Sequence, residues 1–404
     1  MERFMSRAAN LICRTYPLLL LLGSLTSLPA QSGLVYGEVA TIDDVCYQGV
    51  LRWGGRENFW DDLFVAHKVK VNTLDYLSGD EIKRLYDRER EEKIDWSFMS
   101  LWRQPYPEHK HAFRCRFGDL AELEVLAEDA AELTFKDGSR IQVEEGRHLG
   151  VQISVLDAEE VEAKIDWGRI HHITFMPAPP GRWPGTVASL YGTVFTPQGA
   201  FEGFVIWDNE DSRSTDRLEG RTGRGKMAFP FGEIQQIRAQ GEGAQVLLFS
   251  GRQYDLWGTD DVSANNHGII VKRHDLGHVH IPWAQFRFVR FQPQARPDGP
   301  DYRAFRPPAP LRGRVQMQDG RTFAGRLILD LDEGMDVETI EGQQEGIDYT
   351  IPLQNVRRME RRNYEFSAIT LHNGDKLFLG TGHDVSDRSW GILIWTDAPK
   401  PLYL

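Results

Sequence analysis

The sequence is poor in cysteine, short of positive charge, without a long apolar run, and without a familiar catalytic motif. Its three cysteines, at positions 13, 46 and 115, leave at most one pair once an N-terminal leader is set aside, which excludes a multi-bridge scaffold. The longest apolar run, Leu18 to Leu28, is about 11 residues where a membrane-spanning helix needs about 20. No Gly-x-Ser-x-Gly, His-Glu-x-x-His, Cys-x-x-Cys or dinucleotide glycine pattern occurs, so the signatures of common hydrolases, zinc proteases, dithiol redox proteins and nucleotide-binding folds are missing. Lys and Arg number 47 against 59 Asp and Glu, a net charge of −12. Such a surface repels nucleic acid and anionic lipid at long range and favours solubility.

Residues 1–30 carry the pieces of an export signal in order: Arg3, Arg7 and Arg14, the apolar run, then Pro29-Ala30 before Gln31. No lipobox cysteine follows. Removing this segment takes away three arginines and one glutamate and leaves a net charge of −14. The expected location is periplasmic or secreted.

Internal similarity dominates the rest. Val35-Tyr36-Gly37-Glu38-Val39, Leu190-Tyr191-Gly192-Thr193-Val194 and Leu311-Arg312-Gly313-Arg314-Val315 each precede a turn signal, at Asp43-Asp44, Gln198-Gly199 and Asp319-Gly320. An aromatic-x-Gly follows in each case, beginning at Tyr47, Phe201 and Phe323, and then an apolar strand to Trp53, Trp207 or Leu329. Second turn signals come at Asp137-Gly138, Ser250-Gly251 and Asn373-Gly374, and Asp261-Val262-Ser263 reappears as Asp384-Val385-Ser386. Period-two alternation between such turns predicts antiparallel hairpins. The expected fold is all-β: three tandem small antiparallel barrel or sandwich units with separate interiors, covering 31–176, 188–292 and 309–404, joined by proline-rich linkers. The third unit reads as truncated after Trp395, short of its last hairpin strand. The first carries an insertion near 73–112, opened by a capping box at Ser78-Gly79-Asp80-Glu81, with Ile82, Leu85 and Tyr86 on one helix face.

The segment Asp319-Gly320-Arg321, Gly325-Arg326-Leu327, Asp330 to Gly334 and Tyr349 to Leu353 resembles half of a PRC barrel. That resemblance implies a small β-barrel, usually non-catalytic, that supports assembly or ligand contact. The Asp-Gly-Arg and Gly-x-Leu pieces are also similar to Sm-like barrels, a family that binds RNA; the acidic charge and export signal set the expectation at no nucleic-acid partner.

Few residues offer chemistry. Gly220 to Lys226 nearly fits a phosphate-binding loop, but Met227 stands where Ser or Thr is needed and a strand follows, so it reads as a hairpin loop. His274, His278 and His280 are a weak candidate metal set across one hairpin. Cofactors are expected to be none. The carboxylate pairs Asp61-Asp62 and Asp260-Asp261 would serve acid–base chemistry only if both members faced one cleft in unlike environments. Asp61-x-Leu63, Asp216-x-Leu218 and Glu338-x-Ile340 suggest a repeated loop clamp. Parity points Cys46 outward and Cys115 inward, which disfavours their pairing. In the insertion, Trp96, Phe98, Trp102 and Arg103 are candidate partner contacts, because Trp and Arg are common interface anchors. The functional expectation is a non-catalytic binding or scaffold protein contacting another protein or an envelope polymer; the alternative is a polysaccharide hydrolase using paired carboxylates.

Overall fold

The computed structural model describes residues 33–69, 72–93, 112–159, 161–179, 188–293 and 299–404. The chain is all-β. Antiparallel sheets of ten, twelve, four and three strands account for its named strands, none closes on itself, and the described residues contain one α-helix, Gly79–Lys93. No helix among them is long and apolar enough to cross a membrane.

All six turn signals join neighbouring antiparallel strands. The ten-stranded sheet runs, in spatial order, Ala112–Arg116, Leu63–Lys68, Arg140–Glu144, Ala130–Phe135, Leu120–Ala127, Ile170–Phe175, Tyr36–Thr41, Cys46–Trp53, Ile153–Leu156, Glu162–Ile165. Ten strands of the twelve-stranded sheet, from Gly225–Pro230 through Phe288–Phe291 to Gly277–Ile281, follow the same order by rank in the chain. Its last two, Ile347–Pro352 and Thr339–Gln344, come from the third region and pair onto Gly277–Ile281. The remaining sheets end in Arg312–Gln316 and Val356–Arg361, each paired on one side only. In the larger sheets a strand stands between the strands of equal rank.

One steric constraint recurs in the first hairpin of each region. Gly37 faces Gly49, Gly192 faces Gly203, and Gly313 faces Gly325. A Cβ on Gly49, Gly203 or Gly325 would lie 2.1, 2.4 or 1.8 Å from the carbonyl oxygen of Leu156, Lys272 or Trp395 on the next strand. Only glycine admits so close a backbone. Tyr47, Phe201 and Phe323 sit at the same register beside these glycines, opposite Val39, Val194 and Val315. Leu51, Trp53, Val205, Trp207 and Leu327 are buried as their parity predicts, whereas Leu329 is half-buried.

The interiors are not separate. The second region's core runs on through Ile340, Tyr349, Ile351, Ile369 and Leu379 of the third. The helix, opened by the reciprocal Ser78–Glu81 cap, packs Leu85 with Ile328, Leu331, Trp390 and Leu393 of the third region, with Ile82 and Tyr86 beside them. The segment before the third region is docked rather than a free linker: Phe305 is buried in the first region's core, and Tyr302 donates to the Leu120 carbonyl at 2.7 Å. Cys115 is fully buried and free, so it does not bridge to Cys46.

The clamp acids are observed, one residue later than the sequence reading placed the first of them. Asp62, Asp216 and Glu338, rather than Asp61, each accept two backbone N–H groups from three and four residues upstream, at 2.6–3.1 Å. Each is buried or nearly so and is met by a cation. Lys272 reaches across from the second region to Asp61 and Asp62 at 2.8 and 2.6 Å. Lys68 of the first region meets Glu338 and Asp332 of the third. Asp216 is held by Arg213. Burial opposes the Lys272 charge, but Asp61 and Asp62 outweigh it and hold the ammonium above its ordinary value. Lys272→Met strands two carboxylates and costs about 3–5 kcal/mol in urea unfolding; adding Asp61→Asn and Asp62→Asn restores most of it. A triple variant no more stable than the single one would contradict this account.

Candidate functional site

Alternation along Gln253–Trp257 turns Leu256 into the core and Trp257 outward beside Asp255. Trp257 is 45% exposed. It faces Gly243 on one side, and on the other its strand meets Arg217–Thr222 through a single residue pair, Arg221 with Trp257. The sheet parts there. The hairpin tip at Gly241-Glu242, with Gly241 at φ +60°, and the turn Asp260–Val262 wall an open groove of about 780 Å³ lined by Glu242, Asp255, Trp257, Thr259, Asp260 and Asn265. Its three carboxylates are exposed. Trp257 is not required by the sheet: the residues occupying that register elsewhere are Glu144, facing His67, and Gly380, facing Gln343.

Behind the groove wall the chemistry changes. Asp260 lines the groove, whereas Asp261 turns inward and accepts the Glu219 N–H at 2.5 Å, while its carbonyl accepts the Trp207 indole N–H. Asp208 and Asp211 lie on the adjoining turn; Asp208 accepts the His267 N–H at 2.5 Å. Burial pushes Asp261 up to about 6. Burial, with Asp216, Asp261, Glu210 and Asp208 around it, pushes Asp211 up to about 7.

Two other turns share parts of this hydrogen-bonding pattern. In the first region His148 Nδ1 accepts the Val65 N–H at 2.7 Å, and the His148 carbonyl accepts the Trp53 indole N–H. In the third, Asp384 accepts the Glu341 N–H at 2.7 Å. The acid facing this position is Glu57, Asp211 or Glu333 by rank. Glu57 lies 2.9 Å from His148 and 3.4 Å from Arg147. In the third region Asp330, His383 and Asp384 each offer a ligand atom within 4.8 Å of the others. Burial, then Asp330, pushes Asp384 up to about 7, and burial, then Asp384, holds Glu333 well above the usual carboxylate range.

The histidine hairpin places its rings apart. His278 stands opposite Lys272 rather than His274. Its Nε2 donates to the Asp61 carbonyl at 2.8 Å, and burial with the Lys272 charge pushes it down to about 4. His280 bonds Asp348 and the His267 carbonyl. His274 packs edge-on against Phe305. Asp61-Asp62 is a structural ion site, and Asp260-Asp261 divides between two surroundings. Gly223-Arg224 is a tight hairpin turn between paired strands. Trp96, Phe98, Trp102 and Arg103 lie outside the described residues. Sequence reasoning missed Trp257, although its odd parity beside Asp255 marked an outward tryptophan.

The chain matches no family model, no curated protein and no solved structure, so the resemblance to PRC or Sm-like barrels gains no support from them.

The inward acids give a pH signature. In the folded chain Asp211 keeps a proton up to about pH 7 that the unfolded chain releases near pH 4, so its contribution to stability is full below about pH 4 and lost as pH rises through about 7. Asp211→Asn therefore raises the Tm by a few degrees at pH 8 and changes it little at pH 4. Thermal unfolding followed by circular dichroism checks this; an equal shift at both pH values would contradict it.

Proposed function

We propose that the chain is an exported, non-catalytic binding protein. In this reading it consists of three tandem copies of one β unit, over 31–176, 188–292 and 309–404, and the groove at Trp257 holds an extended, hydroxyl-rich polymer of the cell envelope. The observation that carries it is the exposed indole on the groove, flanked by Asp255, Thr259, Asp260 and Asn265. A flat aromatic face packs against the C–H face of a sugar ring, while carboxylates and amides around it accept and donate hydrogen bonds to hydroxyls. The groove is open, as a polymer running through it requires.

The triple repeat is supported by the shared strand order, the three facing glycine pairs and the three clamp acids. Export is supported by the order of charge, apolar run and small residues in 1–30. Binding is favoured over hydrolysis because acid–base cleavage needs two carboxyls of unlike environment on one cleft, and here the shielded Asp261 and the exposed Asp260 face opposite ways.

Calorimetry of the full chain with soluble β-1,4-linked glucose and N-acetylglucosamine oligosaccharides tests the reading. Binding is expected, weakened at least about tenfold by Trp257→Ala, with the oligosaccharide recovered at its original length. No binding by either series, or binding indifferent to Trp257, would overturn the groove assignment. Shortened products would overturn its non-catalytic character.

A further inference from the structure

The third region concentrates negative charge where little water reaches. Asp330, Asp332, Glu333 and Glu338 are 5, 6, 8 and 3% exposed. Among the described residues, Lys68 bonds Asp332 and Glu338, and Arg388 donates to the Thr381 carbonyl. Asp330, His383 and Asp384 meet around one point, their ligand atoms within 4.8 Å of one another, with His383 Nδ1 bonded to Asp330 Oδ2 at 2.5 Å. A separate observation concerns Glu333. Its Oε2 is buried without a hydrogen-bond partner among the described residues, and the foremost charge acting on it is Asp384. A buried carboxylate oxygen with no donor is costly, and Glu333 lies on the same turn as Asp330.

We propose that Asp330, His383 and Asp384, with Glu333 on the adjoining turn, form a binding site for one divalent transition-metal cation, of the manganese or zinc kind. Carboxylate oxygens with one imidazole suit these ions, and a dication offsets the negative charge gathered there. The supports for the ligands are present. The Trp390 backbone N–H donates to Asp330, and the Glu341 N–H to Asp384, so both carboxylates are oriented before any ion arrives. The turn carrying Asp330 is held by its left-handed φ of +51°. The helix side chain of Tyr86 packs edge-on against Trp390.

The comparison with the equivalent places explains why the site belongs to the third region. The first region surrounds Glu57 with the His148 imidazole and the Arg147 guanidinium. The second has Asp260 at the rank of His383, and that side chain lines the groove. Among the described residues, only the third of these places brings two carboxylates and an imidazole together at ligand spacing.

The test uses the full chain stripped with a chelator, titrated with MnCl₂, ZnCl₂ or CaCl₂ by calorimetry, with Mn²⁺ electron paramagnetic resonance as a second readout. The expected result is one Mn²⁺ or Zn²⁺ per chain, raising the Tm, with binding weakened at least about tenfold by His383→Ala and by Asp384→Asn, and unaffected by Asp261→Asn. Asp384→Asn removes a like charge from a crowded acid cluster, so this variant melts higher than the parent without metal and no longer responds to metal. That pattern separates a lost ligand from a lost fold. No binding of Mn²⁺ or Zn²⁺ at millimolar concentration, a preference for Ca²⁺, or binding that survives His383→Ala with Asp384→Asn, would overturn the proposal. None of these outcomes bears on the groove at Trp257.

Discussion

Everything in this chain is organised around a carboxylate that folds the backbone over itself. At Asp62, Asp216 and Glu338 one side-chain oxygen collects two backbone N–H groups from the preceding turn. This satisfies donors that a tight loop would leave orphaned. The arrangement also carries a formal charge into the interior, and burying a charge demands a partner. The regions answer that demand differently. Asp216 is paired by Arg213, three residues away. Asp62 waits for Lys272 from the second region, and Glu338 for Lys68 from the first. A requirement of loop closure thereby becomes a requirement for association between parts of the chain far apart in sequence.

The third region shows how far this dependence goes. Its two smaller sheets end at Arg312–Gln316 and Val356–Arg361, without the strand that bridges the strands of equal rank in the larger sheets. Its apolar groups are therefore shared out. One set joins the second region's core through the hairpin pairing of Gly277–Ile281 with Ile347–Pro352. The other is covered by the first region's helix, with Thr73 donating to the Leu331 carbonyl at 2.7 Å and Lys68 reaching Asp332 and Glu338 nearby. Burial that one sheet cannot complete by itself is completed by its neighbours. This is why the expectation of three separate interiors failed although the local pattern behind it was sound.

What the sequence made legible was local. Asp-Gly and Asn-Gly turns and alternating strand faces depend on residues a few positions apart, and the structure has them where the reading placed them; the facing of the glycines across each first hairpin came only with the structure. The first clamp acid was misread by one residue because Asp61 and Asp62 are adjacent and both acidic; only the backbone donors to Asp62 distinguish them. The histidine hairpin looked convergent because three imidazoles lie within seven residues, yet Lys272, not His274, faces His278. The acid clusters were half visible in the recurrence of Asp261-Val262-Ser263 and Asp384-Val385-Ser386. Their partners, Asp211 and Glu333, lie about 50 residues earlier, and nothing in a linear pattern brings such distant groups together.

The positions that differ between equivalent places say most about function. A residue that the backbone needs is the same wherever the backbone is the same, as the facing glycines are. Trp257 occupies a register held elsewhere by Glu144 and Gly380, and His383 a rank held elsewhere by Arg147 and Asp260. The sheet tolerates a charged residue, a bare glycine or an indole at the first of these, and a cation, an anion or an imidazole at the second. Neither choice is explained by folding. One turns an exposed aromatic surface toward an open groove, where burial of apolar area cannot reward it. The other sets an imidazole beside two carboxylates, bonded to one of them, Asp330.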